Sequence, residues 1–281
     1  VVTLRRTVRF SLPPPGSPFD PASPRRNAYA GWPSAVGIGV WGEIDVVVRG
    51  EPDRHTGYLI NITELDRAVR DSALPFLHAE FGRQAREAVA VEPVSTLPEL
   101  FRRVGAHLAE RALPDRPVSL TRLGWRVTPF HAVAIEPRPA TPPMSTSVEL
   151  LQRFEFSASH RLHCPEYDAA TNERIFGKCN NPNGHGHNYQ VEVRVETSLS
   201  NAPQVRLADI ERIVDDTVIR RFDHKHLNSD CPEFASLNPS VEHIAKVCFD
   251  LLAEPFRVRG ATLRGVTVWE TEKTACTYPA C

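Results

Sequence analysis

"GKCNNPNGHGHNYQVEV", residues 177–193, places two histidines two positions apart, after a turn-rich loop and at the head of an alternating apolar run. Val191, Val193 and Val195 alternate with polar residues, which predicts a strand buried on one face. Period-two geometry then sets His185 and His187 on the same face of the strand entrance. Gly186 between them leaves room for other groups to approach closely. Cys179 lies six residues before His185, in a loop and not in an apolar run. A lone histidine at a strand end is ordinarily solvated, and a cysteine is ordinarily a small buried hydrophobe. The question is whether other residues join these three.

His160 ends "FSASH" at the parity of Phe156 and Ala158, on a second expected strand. If the two strands pair, His160 faces His185 and His187. Three neutral imidazoles with an open fourth position make a catalytic zinc site, whereas structural zinc sites usually have four protein ligands. Lys178 beside Cys179 is placed to stabilise a thiolate, and a nearby metal would do more. "FDHKHLN", residues 222–228, sets Asp223 beside His224, the composition of an orienting acid and a proton carrier; a solvated helix end has the same composition. Glu270 in "VTVWETEKT" is either an exposed strand-end acid or a buried carboxylate accepting two N–H groups from a guanidine-like ring edge.

The totals exclude several classes. In 281 residues, 41% are hydrophobic, 24% are charged, and 33 basic side chains balance 34 acidic ones. That leaves no basic field for nucleic acid. No apolar run reaches bilayer-spanning length. The opening "VVTLRRTVRFSLPPPG" lacks the apolar core of a secretory signal, and the six cysteines read as reduced thiols of a cytoplasmic protein.

"EPRPATPPMSTS", residues 136–147, carries four prolines and reads as a semi-rigid linker. It divides the chain into 1–136, a linker at 137–147, and 148–281. The halves match in order: "VRFS" (8–11) with "FEFS" (154–157), "GIGVWGEIDVVV" (37–48) with "GHGHNYQVEVRV" (184–195), "ITELDRAV" (62–69) with "LADIERIV" (207–214), and "STLPELFRRV" (95–104) with "NPSVEHIAKV" (238–247). Gly37 and Gly39 fall on Gly184 and Gly186, whereas Ile38 and Val40 stand where the second half has His185 and His187. Pro14 stands near the place of His160, Trp32 near that of Cys179, and His78 near that of Asp223. A framework repeated without the histidines does not need them to fold. Each half reads as strand, strand, helix, helix, strand, an antiparallel sheet covered on one side. Asp209 is a candidate N-cap for the first helix of the second half, and Asn238, followed by Pro239, for the second. Val241, Ile244, Cys248, Leu251 and Leu252 are the expected buried face of that second helix.

Together "FSASHRL", "GKCNNPNGHGHNYQVEV", "FDHKHLN", "NPSVEHIA" and "VWET" resemble the 6-pyruvoyltetrahydropterin synthase family, which includes the 6-carboxytetrahydropterin synthases of queuosine-type synthesis. The resemblance covers residues 148–281. It implies the tunnelling fold (T-fold), an α+β unit of four antiparallel strands and two helices on one face. Two such units would stand in tandem, the first a degenerate repeat without metal ligands. It implies homo-oligomers whose sheets join edge to edge into barrels. It implies Zn2+ on His160, His185 and His187, Cys179 as catalytic thiolate, Asp223 and His224 as proton relay, and Glu270 as anchor of the pterin ring. Glu242 falls on a pterin-pocket glutamate that follows two hydroxyl residues; Ser240 keeps one, and Val241 replaces the other. The implied reaction converts 7,8-dihydroneopterin triphosphate to 6-pyruvoyltetrahydropterin with loss of triphosphate and no redox cofactor, a lyase step of tetrahydrobiopterin synthesis. The alternatives are the carboxy-forming sister activity, which releases acetaldehyde, and a non-catalytic pterin-binding protein. Five residues between Cys179 and "HGH" are the spacing of the pyruvoyl-forming members, against three in the carboxy-forming ones.

Overall fold

Alternation dictates the strands, and the computed structural model shows where they lie for residues 1–20, 37–111, 118–137, 147–199 and 205–280. The chain divides into two units, Val1–Val148 and Glu149–Cys281. Most of the Pro-rich stretch, residues 138–146, lies outside the described residues, as does Trp32.

In the first unit, strands β1 (Val2–Leu12), β2 (Val40–Gly50), β3 (Ser119–Thr128) and β4 (His131–Ile135) lie side by side in that order. Each pairs antiparallel with the next. Val8, Phe10 and Leu12 of β1 and Ile44, Val46 and Val48 of β2 point to one buried side. Helices α1 (Ile62–Ala68), α2 (Leu74–Glu87) and α3 (Pro93–Arg111) supply Leu65, Leu77, Leu100 and Val104 to the same core. The expected final strand is thus a hairpin, β3 and β4.

The second unit has β5 (Ser147–His160), β6 (His185–Ser198), β8 (Thr262–Thr271) and β9 (Thr274–Tyr278) in that order. β6 pairs antiparallel with β8, and β8 with β9. A two-residue strand, β7 (Lys225–His226), adds to β5 in parallel, Ala158 opposite Lys225 and Ser159 opposite His226. The sheet therefore carries a fifth short strand, and β9 is one strand more than the alternation pattern gives. Val191, Val193 and Val195 are fully buried, as their parity requires. Each is worth about 1.5–3 kcal/mol relative to exposure. Helix α4 (Ala169–Phe176) fills the loop before β6, and α5 (Leu207–Val214) and α6 (Val241–Val258) carry much of the remaining core.

Two expected caps are displaced. Asp209 is not the N-cap of α5; Arg206 is, and Asp209 Oδ2 accepts the Arg206 N–H from the third helical position. Helix α6 begins after Ser240, whose hydroxyl accepts the His243 N–H, so Asn238 and Pro239 precede it. Both shifts follow from the acid or hydroxyl satisfying a free N–H of the first turn from whichever side it can reach. Val241, Ile244, Cys248 and Leu252 are buried as expected; Leu251 is half-buried. A π-helical turn at Asp215–Ile219 follows α5, and Val218 and Phe222 are buried while Ile219 is half-buried.

Candidate metal centre

β5 and β6 bring His160, His185 and His187 together, one ligand-capable atom of each lying within 4.8 Å of the others. His160 ends β5 and its side chain is fully buried. Its Nδ1 lies 2.7 Å from the Pro239 carbonyl oxygen. A carbonyl only accepts, so Nδ1 carries the proton and Nε2 presents a lone pair to the other rings. That Nε2 is 3.1 Å from His185 Nε2. His185 Nδ1 and His187 Nε2 are buried with no hydrogen-bond partner. Burial, chiefly, and then its histidine neighbours push the His160 pKa down to about 4. His185 is lowered by the same kinds of cause, against the Glu270 charge that raises it. Three imidazoles whose ligand-capable nitrogens converge fit a divalent cation well.

Gly184 turns the chain into β6 with φ +72, and a Cβ there would stand 2.9 Å from the His160 carbonyl oxygen. Only glycine meets both demands. Tyr189, two residues past His187 on the same face, is buried beneath the rings, its hydroxyl 3.4 Å from His160 Nδ1. Sequence reasoning missed it, although it continues the parity of His185 and His187. The Pro239 carbonyl has no sequence signal at all.

Glu270 sits on β8 with Oε1 3.3 Å from His160 Nε2 and 3.5 Å from His187 Nε2. It is largely buried, so the exposed strand-end reading does not hold. The Cys179 thiol is raised by burial and then by the Glu270 charge; Lys178 is not among the groups that act on it, contrary to expectation. A cation among the imidazoles would act in the opposite sense. Its loop is fixed at both ends: the Cys179 carbonyl accepts the Leu162 N–H at 2.8 Å, and the Asn181 carbonyl accepts the Gly184 N–H at 2.8 Å.

Asp223 and His224 clamp β5 from outside. Asp223 Oδ1 accepts the Ser157 N–H at 2.8 Å, and the His224 N–H donates to the Ser157 carbonyl at 2.6 Å. Asp223 Oδ2 is 2.8 Å from His224 Nδ1. The Ser157 N–H first, and His224 second, hold the Asp223 carboxyl below its usual range. His224 has φ 57 and an 82% exposed side chain. Left-handed backbone at a non-glycine is strained, and it aims this ring outward. An open cleft of about 400 Å3 joins His224 to His187, with Ser157, Ser159, Asn188, Lys225 and His226 on its walls. Glu242 stands at the start of α6, held below its usual range chiefly by the Ser240 hydroxyl. Its charge reaches Cys276.

An antiparallel sheet that gathers three imidazoles and an acid at one end, with an Asp–His pair against β5, offers a candidate three-ligand metal site of the open class. Residues 149–281 match the family model for 6-pyruvoyl tetrahydropterin synthase. The chain is 37% identical over 132 residues to the 6-pyruvoyl tetrahydrobiopterin synthase of Homo sapiens, a match spanning 46% of this chain and 90% of that protein. It is 34% identical over 131 residues to that of Drosophila melanogaster, spanning 46% and 77%. Among solved structures, the 6-pyruvoyl tetrahydropterin synthase of Caenorhabditis elegans has 31% sequence identity and a TM-score of 0.43, over 48% of this chain and 96% of that one. The chain belongs to the 6-pyruvoyl tetrahydropterin synthase family.

Proposed function

We propose that the second unit is a zinc-dependent lyase of tetrahydrobiopterin synthesis, converting 7,8-dihydroneopterin triphosphate to 6-pyruvoyltetrahydropterin with elimination of triphosphate. The observation that carries this reading is the convergence of His160, His185 and His187, with ligand atoms within 4.8 Å, in a chain of this family. His160, His185 and His187 would hold the ion, which when bound supplies Lewis acidity to the side-chain oxygens of the substrate. Cys179 takes a proton from a side-chain carbon. His224, oriented through Nδ1 by Asp223, exchanges protons with substrate through its free Nε2. Glu270 accepts from the N–H edge of the pterin ring, and Ser240 and Glu242 contribute to the same pocket.

The first unit we read as a degenerate T-fold repeat over residues 1–136, joined by the segment 137–147 to the catalytic domain at 148–281. Support comes from the shared order of strands, helices and closing hairpin, and from the matched turns at Gly37 and Gly184, φ +68 and +72. Both units also insert a π-helical turn, Val69–Ala73 after α1 and Asp215–Ile219 after α5. Ile38 and Val40 stand in place of two ligands, so its role is to complete barrels in a homo-oligomer. Among the described residues no helix is long and apolar enough to cross a membrane. Incubation with 7,8-dihydroneopterin triphosphate and product mass analysis test the reading. Binding without turnover would make this a pterin-binding protein instead.

A further inference from the structure

Directly after His160 the chain leaves β5 at Arg161, and that side chain reaches the loop that holds the thiol. Arg161 Nε donates to the Asn180 carbonyl oxygen at 3.2 Å, and its Nη2 donates to the Asn180 side-chain oxygen at 3.1 Å. The same side-chain oxygen accepts from His163 Nδ1 at 3.0 Å. One residue back, the Cys179 carbonyl accepts the Leu162 N–H at 2.8 Å. Segment 161–163 is itself anchored. The Arg161 N–H donates to Asn228 Oδ1 at 2.8 Å, and the Arg161 carbonyl accepts from Asn228 Nδ2 at 3.0 Å. The His163 N–H donates to Asn238 Oδ1 at 2.9 Å. Burial does little for the loop: Gly177, Lys178, Asn181, Pro182 and Asn183 are exposed, and Cys179 is half-buried. Both guanidinium bonds to the loop end on the oxygens of one residue and not on a carboxylate. A planar fork that meets two oxygens of one partner fixes direction as well as distance.

We propose that Arg161 is a positioning residue for Cys179, a clamp that fixes where the thiol stands relative to the histidine triad. The assignment rests on the reading of Cys179 as the base, given above. The physical reason is connectivity. Arg161 is bonded to the candidate ligand His160 through the chain and to the residue after Cys179 through its guanidinium, so base and triad share one short frame. A base displaced by about 1 Å from its carbon-bound proton loses on the order of 100-fold in rate, although substrate binding is untouched.

The test compares the full zinc-loaded chain with Arg161→Ala and Asn180→Ala, which cut the clamp from its two sides. Each variant should keep its zinc and its cooperative melting. With 7,8-dihydroneopterin triphosphate, kcat should fall roughly 10- to 100-fold while KM stays within about threefold. The double variant should fall no further than the worse single one, because both changes remove the same contact. Arg161→Lys should stay impaired, since an ammonium does not match the fork, and guanidinium at low millimolar concentration should restore part of the activity of Arg161→Ala but not of Arg161→Lys. Amide exchange read by mass spectrometry supplies a measure that needs no turnover. The peptide spanning 177–184 should exchange faster in both single variants, and peptides from β6 beyond Tyr189 should not change. Unchanged exchange of the loop overturns the proposal, whether or not the chain turns the substrate over. So does wild-type kcat in Arg161→Ala, full activity in Arg161→Lys, or loss of zinc together with turnover, which would make Arg161 a support of the ligand and not of the thiol. If wild type exchanges as expected but does not turn over, the clamp on the loop stands and the reading of the reaction fails alone.

Discussion

The Pro239 carbonyl oxygen stands 2.7 Å from His160 Nδ1, so the residue that leads into α6 fixes which nitrogen of a buried strand histidine can face the other two. The candidate ligand His160 and the start of the helix carrying Glu242 are thereby one structural unit. Outer contacts of this kind set ring orientation and basicity at metal sites.

The single histidine triad among the described residues predicts one tightly held zinc per chain. Metal analysis of the purified protein should give a ratio near one, and a ratio of two would mean that the first unit holds ligands of its own. His185→Ala should lose the ion and the activity while its circular dichroism and cooperative melting persist, since the proposed repeat has Ile38 in the matching place. Global unfolding of that variant would show a structural ion instead.

The depressed His160 pKa makes a pH prediction for the metal-free protein. Its folded value, about 4, lies below the ordinary histidine value of 6.5, so the unfolded chain binds the proton first as pH falls. The stability that neutral His160 contributes is present above pH 6.5 and is lost between there and about 4. The shift amounts to about 3 kcal/mol at most. Urea titrations of metal-free wild type and His160→Gln across this range should show a steeper decline in the wild type. Parallel curves would contradict it.

The two thiols should separate chemistry from packing. Cys179→Ala should retain zinc and bind substrate but lose proton removal, with turnover reduced by at least about 100-fold, the usual worth of a positioned base. Cys248 is fully buried on α6, its thiol pushed up to about 12 by burial. Cys248→Ala should cost about 1–2 kcal/mol of stability from lost packing, with far less effect on turnover per folded molecule. Equal activity losses without destabilisation in both variants would remove the assignment.

Assembly follows from sheet edges. β1 ends the strand order of the first unit and β9 that of the second, and an open edge is a template for pairing. Light scattering at micromolar concentration should find an oligomer, with three chains supplying six units as the simplest closed ring. A monomer alone would rule out barrel completion as the role of the first unit.

Much of the site was legible because it lies on strands. Parity alone put His160, His185 and His187 on shared faces, and the Asp223–His224 pair announced itself as adjacent letters. What escaped was made by backbone and by irregular local structure. The Pro239 carbonyl is common to every residue type, so no sequence pattern marks it. The positive φ of His224 and the two-residue strand β7 arise from tertiary clamping at Ser157 and carry no propensity signal. The caps moved because Asp209 and Ser240 satisfy N–H groups from positions that spacing does not distinguish. The π-helical turns at Val69–Ala73 and Asp215–Ile219 depart from the 3.6-residue period, and no residue type marks them in advance.

The last prediction concerns the product. The loop between Cys179 and His185 is internally ordered: Asn181 accepts the Gly184 N–H through its carbonyl and the Asn183 N–H through its side chain. Gly184 at φ +72 then delivers His185 to the triad. Loop length therefore sets where the thiol stands relative to the ligands, and a loop two residues shorter would present it to a different substrate carbon. On the proposed function, the five-residue spacing predicts 6-pyruvoyltetrahydropterin and free triphosphate. Mass spectrometry should find the pyruvoyl product, and an enzymatic acetaldehyde assay should stay at background. Stoichiometric acetaldehyde with a 6-carboxy product would overturn the assignment of product while leaving the metal, thiol and relay roles to stand on their own tests. Deleting Asn181 and Pro182 probes the same relationship from the other side. If loop length sets the carbon attacked, that variant should lose pyruvoyl formation while keeping its zinc, because all three histidines remain on β5 and β6.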